Sequence, residues 1–218
     1  MITRFLILAN IVAFAWEVAV AGPGMFSGFG GGGIATVLRD GALWPEAALQ
    51  DHQWWRILTS AFLHAGLIHI AVNMFSLWIL GRFIETFVGS FRMALIYSFS
   101  LVASGLGVIY FSPAMTPTLG ASGAIFGLFG ALFAIGFKLG KPGMQLIRDN
   151  IGILVINLVM TFTISGISKS AHIAGLFAGF LIAFAIFFPP RRVAPVVVDA
   201  TGNQYETEYQ APPTHLQQ

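Results

Sequence analysis

The sequence contains no cysteine, which excludes a disulfide framework, a zinc–thiolate centre and a cysteine nucleophile. It is also short of charge. Asp, Glu, Lys and Arg make up 9% of its 218 residues, against about 25% in water-soluble domains. The net charge of +2 is too small to suggest nucleic acid as a partner. What is there instead is apolar: 56% of the residues are hydrophobic and the mean hydropathy is +0.81. A soluble fold of this size would lack a water-compatible surface, so the bilayer is its main solvent.

A membrane-crossing helix needs roughly 20 mostly apolar residues. The sequence predicts six, over residues 5–22, 66–84, 91–112, 120–138, 150–167 and 170–188. The fold class is therefore all-α and polytopic. The fifth span is short and carries Asn157, Thr161, Thr163 and Ser165. The first does not read as a signal peptide, because it contains Glu17 and no A-x-A cleavage site follows it. With the N-terminus inside, Arg4, Arg82, Arg92, Lys138, Lys141, Arg148, Arg191 and Arg192 fall on the inner side. Only Arg39, Arg56 and Lys169 then fall outside. Positive charge collects on the cytoplasmic side of membrane proteins, so both termini are expected there.

Residues 23–65 form a long first external loop. It opens on the glycine tract SGFGGGG, read as flexible; no Gly-Lys-Ser/Thr follows, so it is not a phosphate-binding loop. Short helices are expected at Pro45–Gln50 and Trp54–Leu63, the second from the helical spacing of Trp54, Ile57, Leu58, Ala61 and Phe62. The loop is expected to lie in the outer leaflet. Residues 189–218, with scattered Pro, Gln and Thr, read as a disordered cytoplasmic tail.

Polar groups are costly inside a bilayer and are functional candidates for that reason. Ser122 begins span four, His172 lies near the start of span six, and His69 and Asn73 lie in the first half of span two. All three spans run from outside to inside, so these four groups share one depth in the outer half of the bilayer. His69 and Asn73, four residues apart, share a helix face. Gly123, Gly127 and Ala131 form a small-residue stripe on span four, and Gly175 and Gly179 form a GxxxG on span six; such stripes let helix backbones approach closely. If these faces meet, Ser122 and His172 stand at the top of one contact, where a histidine could activate a serine. The side chains of His69 and Asn73, with the Ser122 backbone N–H at a helix N-terminus, could stabilise an oxyanion. No Asp or Glu is placed to orient His172, so the expected constellation is a dyad and not a triad.

Each residue also has a plainer reading. Ser122 in a glycine-rich span could be packing glue, and GASGA departs from the soluble-hydrolase elbow GxSxG at Ala124. His69 and Asn73 could bind each other or a water. His64 reads as support for the first loop. A metal site is not expected: His64 and His69 are five apart, no carboxylate joins them, and no HExxH helix is present.

These residues resemble the rhomboid intramembrane serine proteases, in their compact bacterial six-span form. The resemblance covers residues 1–188. It rests on WRILTSAFLHAGLIHIAVN, on the GRFIE closing span two, on GASGAIFG in span four and on AHIAGLFAGF in span six, all in order. It implies Ser122 as nucleophile and His172 as general base. It implies His69 and Asn73 as oxyanion donors with Ser122, and Gly120 as part of the turn before the serine. Trp55 and Arg56 would anchor the loop, and Glu85 would be structural at the inner end of span two. Phe126 stands where many members carry a tyrosine stacked on the histidine. The implied substrates are transmembrane helices of other proteins, cut from the external, periplasmic side of the cell membrane without a cofactor. A non-catalytic rhomboid-like binder of transmembrane clients is the alternative.

Overall fold

A computed structural model describes residues 1–26, 33–189, 196–198 and 204–206. Residues 27–32, which hold all but the last glycine of the first loop's glycine tract, lie outside the described residues. Nine α-helices are described: α1 Ile2–Ala21, α2 Ile34–Gly41, α3 Pro45–Leu49, α4 Arg56–Ser60, α5 Leu67–Ser76, α6 Arg82–Phe111, α7 Ser122–Leu139, α8 Lys141–Thr163 and α9 Lys169–Ile186. A π-helical turn, Leu77–Gly81, joins α5 to α6.

Among the described residues, five helical stretches are long and apolar enough to cross a membrane, and one of them, Leu67–Phe111, runs 45 residues. That stretch breaks at Gly89, where φ is 79° and ψ 163°. A residue with a Cβ strongly resists this conformation, so glycine permits the reversal. The break makes two helices of one stretch, and six in all. The chain is an all-α, multi-pass membrane protein with a partly helical first loop.

Burial within α1 shows how the bundle is sorted. Its buried residues are Thr3, Leu6, Asn10, Phe14 and Glu17, spaced three or four apart on one helix face. Phe5, Leu8, Val12 and Trp16 point away and are exposed. In lipid the exposed face is the apolar one, and polarity marks the inward stripe. α7 differs: from Gly123 to Leu132 every residue is buried, because α6, α8 and α9 all pack against it.

Two expectations shift. The helix that carries the fifth expected span, 150–167, starts earlier, at Lys141, and ends at Thr163. Gly140, at φ 68°, closes α7. Pro142 in the first turn suits a helix start, where its missing N–H costs nothing. In the first loop, α2 was not anticipated, and the two expected helices shorten to Pro45–Leu49 and Arg56–Ser60. Residues 188–218 form a separate unit, in which Val196–Val198 pairs antiparallel with Gln204–Glu206. Most of the tail expected to be disordered lies outside the described residues.

Candidate active site

The segment before α7 is pinned from two sides. Leu43 and Thr118 exchange a pair of backbone hydrogen bonds of 2.9 Å each, and the Gly120 N–H donates to the Ser60 carbonyl at 2.8 Å. Gly120 has φ +121°, and a Cβ there would come within 2.9 Å of His69 Nε2. Both facts require glycine, and together they bring the His69 ring against the turn that presents Ser122.

Ser122 is the first residue of α7. His172 lies in the first turn of α9, whose N-cap, Ser168, accepts a hydrogen bond from the Ala171 N–H. The two helices meet backbone to backbone. A Cβ built on Gly175 would overlap the Gly123 carbonyl oxygen, and one on Gly179 would overlap that of Gly127. A third crossing lies deeper, where a Cβ on Gly130 would overlap the Leu176 carbonyl. At the top of this contact His172 Nε2 is 2.8 Å from Ser122 Oγ.

Three contacts hold the histidine. Phe126 stacks on its ring with centroids 4.0 Å apart and planes inclined by 14°. Ser122 meets Nε2. On the far edge, Nδ1 lies 2.8 Å from the hydroxyl of Thr161 on α8. Sequence reasoning missed this last partner. Thr161 stood among the polar residues of span five, and its depth near the start of span six was the available signal.

His69 Nδ1 accepts the Ala65 N–H at 3.1 Å, so its ring proton sits on Nε2, the nitrogen facing Gly120. Asn73 donates one amide proton to the His69 carbonyl at 2.9 Å and keeps a second. His69, Asn73, Ser122, Thr161 and His172 line one cavity of about 650 Å³ whose remaining wall is mainly apolar. The first residue of a helix also has no carbonyl four residues back to receive its N–H, which leaves the Ser122 amide available at the positive end of α7.

The other sequence-predicted residues sit elsewhere. His64 is fully buried, and its ring meets that of His69 edge-on at 5.1 Å. Its backbone N–H is held by both carboxylate oxygens of Glu17, at 3.1 and 3.0 Å. Burial, with His69 beside it, pushes the His64 imidazole down to about 3, so it is neutral. Arg56 donates to the carbonyls of Ala42 and Arg39 at 2.8 and 2.9 Å, and its guanidinium lies 4.7 Å from the Trp55 ring centroid; both serve the first loop. Glu85 accepts the Ile2 N–H at 2.7 Å, the Thr3 N–H at 3.1 Å and the Thr3 hydroxyl at 2.7 Å. It thereby caps the N-terminus of α1. Among the described residues no group of three or more His, Asp or Glu side chains could hold a metal ion.

Fold and cavity together define a multi-pass helical membrane protein that brings a serine and a histidine from different helices into hydrogen-bond contact. The family model for the rhomboid domain matches residues 51–189. Three relatives are similar in sequence. Rhomboid protease GluP of Bacillus subtilis (strain 168) is 41% identical over 145 residues, which is 66% of this chain and 28% of GluP. RHOMBOID-like protein 6, mitochondrial, of Arabidopsis thaliana is 32% identical over 167 residues, 75% of this chain and 53% of that one. Rhomboid protease GlpG of Yersinia pestis (strain Pestoides F) is 35% identical over 144 residues, 65% of this chain and 51% of GlpG. The similarity thus spans from about a quarter to about half of each of these relatives. The chain belongs to the rhomboid family.

Proposed function

We propose that this chain is an intramembrane serine endopeptidase that cleaves transmembrane helices of other membrane proteins through an acyl-enzyme. The observation that carries the reading is the 2.8 Å contact between Ser122 Oγ and His172 Nε2, within the roughly 2.6–3.2 Å reach of a general base. The protease names of two relatives support it.

Ser122 Oγ attacks the scissile carbonyl carbon while its proton passes to His172 Nε2. The carbonyl oxygen becomes an oxyanion, for which the Ser122 N–H, His69 Nε2–H and the second Asn73 amide proton are the donors. Collapse of the tetrahedral intermediate breaks the C–N bond, and His172 returns the proton to the leaving amine. Water then attacks the ester carbonyl as His172 takes its proton, and a second collapse releases the acid and restores Ser122. The peptide bond of a substrate helix is already hydrogen-bonded, so the helix must unwind locally before attack.

The charge distribution supports cytoplasmic termini and a site opening to the external side of the membrane. Trp55, Arg56 and His64 act by holding the first loop and Glu85 by fastening α1. Gly120, Gly123, Gly127, Gly175 and Gly179 act through close approach.

The test is labelling of detergent-solubilised chain with a fluorophosphonate probe, mapped by mass spectrometry and paired with cleavage of a transmembrane reporter. Wild-type protein should be labelled at Ser122, whereas Ser122→Ala and His172→Ala should fold, resist labelling and lose cleavage. Turnover retained in either variant, or absence of labelling in folded wild type, would sink the reading. The second result would favour a client-binding role.

A further inference from the structure

We infer that Thr161 is a positioning residue that fixes His172 in the tautomer able to act as a base; this rests on the serine–histidine reading above. The argument is one of proton counting. A threonine hydroxyl carries a single proton. Thr161 Oγ1 is 2.7 Å from the Asn157 carbonyl oxygen, which can only accept. The same Oγ1 is 2.8 Å from His172 Nδ1. Two acceptors cannot share that distance without a proton between them, so the hydroxyl proton lies on the Asn157 side. Thr161 Oγ1 must then accept from His172, which puts the ring proton on Nδ1. Nε2 is left with a lone pair directed at Ser122 Oγ, 2.8 Å away.

The site gives the hydroxyl no freedom to reverse this. Thr161 is 1% exposed and His172 6%, so the contact between Thr161 Oγ1 and His172 Nδ1 is shielded from bulk water. Thr161 also closes the inward stripe of α8, after Gly143, Ile147 and Leu154. When Ser122 gives its proton to Nε2, the imidazolium keeps its Nδ1–H on Thr161 Oγ1, and the threonine proton stays on the Asn157 carbonyl. A neutral hydroxyl, itself polarised by a backbone carbonyl, takes the position that a carboxylate occupies in a triad.

The test reads the tautomer directly and then its consequence. Full-length chain with ¹⁵N-histidine is prepared in lipid nanodiscs, and the His172 signals are assigned by difference from His172→Ala. In wild type Nδ1 should carry the proton and Nε2 should not. Thr161→Val, which keeps the branched shape, should mix the tautomers and lower kcat about 10- to 100-fold with little change in KM, because a buried donor loses its partner. Thr161→Ser should restore both. Thr163→Val is the control, because Thr163 makes the same bond to the carbonyl four residues back, at 2.7 Å, on the exposed side; it should change nothing. If Thr161→Val does not fold, Thr161→Ala replaces it, and the wild-type tautomer is read without any Thr161 variant. A proton on Nε2 in wild type, or unchanged kcat in Thr161→Val, overturns the proposal. Wild type protonated on Nδ1 but never labelled at Ser122 would instead sink the protease reading and leave the Thr161 contact standing.

Discussion

Gly175 is the sharpest place to perturb the site without touching it. It lies one turn along α9 from His172, and a Cβ there would overlap the Gly123 carbonyl oxygen, which adjoins Ser122 in the chain. Carbon and oxygen sit comfortably at about 3.5 Å, so Gly175→Ala must drive α9 from α7 by about 1.5 Å. Neither side can yield by rotating a side chain, since backbone faces backbone. The same displacement would carry the 2.8 Å contact between Ser122 and His172 beyond hydrogen-bond range. Overpacking of this kind costs about 1–3 kcal/mol of stability, and a 1 Å misplacement of reacting groups costs about 100-fold in rate. The assay pairs the fluorophosphonate labelling rate at Ser122 with thermal unfolding in the same detergent. Gly152→Ala provides the reference: it lies within α8, and a Cβ there meets nothing within 4 Å. That variant should label normally and gain about 0.5–1 kcal/mol from the helix preference for alanine over glycine. Gly175→Ala with wild-type labelling and unfolding temperature would refute the close-packing argument.

Two further outcomes are expected. Asn73→Ala should lower turnover about 100- to 1,000-fold, the usual loss for one oxyanion donor, while leaving the unfolding temperature nearly unchanged; unchanged turnover would remove Asn73 from that role. Acid should destabilise the fold through His64, whose folded pKa is depressed from 6.5 to about 3. Its stabilising contribution is complete above the unfolded value. As pH falls from about 6.5 towards 3 the unfolded chain takes up a proton that the folded chain refuses, at up to about 1.4 kcal/mol per pH unit. Chemical denaturation in detergent across that range should show a shallower slope for His64→Phe than for wild type, and identical slopes would contradict the buried neutral ring.

Much of the architecture was legible because lipid imposes a simple rule. Long apolar runs must be helical, since no other open backbone satisfies its own hydrogen bonds in hydrocarbon. Small residues recurring every fourth position on spans four and six then mark where two of those helices can touch. The first loop was less legible. α2 follows a glycine tract, and its order comes from contacts distant in sequence, such as the Arg56 bonds to the carbonyls of Arg39 and Ala42. The start of α8 was hidden too, because Lys141–Asn150 is polar and helical at once, and a hydropathy reading sees only the apolar part.

Thr161 marks a different boundary. Asn157, Thr161 and Thr163 each satisfy their side chains on the carbonyl four residues back, so each can sit in a membrane helix without any outside partner. Polarity alone therefore cannot say which of them has a second task. At 3.6 residues per turn, Thr161 and Thr163 point about 200° apart. Thr161 is buried against His172, whereas Thr163 is exposed. What separates them is the rotation of α8 about its own axis, and that is set by Gly143, Ile147 and Leu154, a stripe of small and aliphatic residues facing the bundle. Gly143 lies backbone to backbone against Gly136 of α7. Residues with no chemistry of their own thus decide which hydroxyl reaches the histidine.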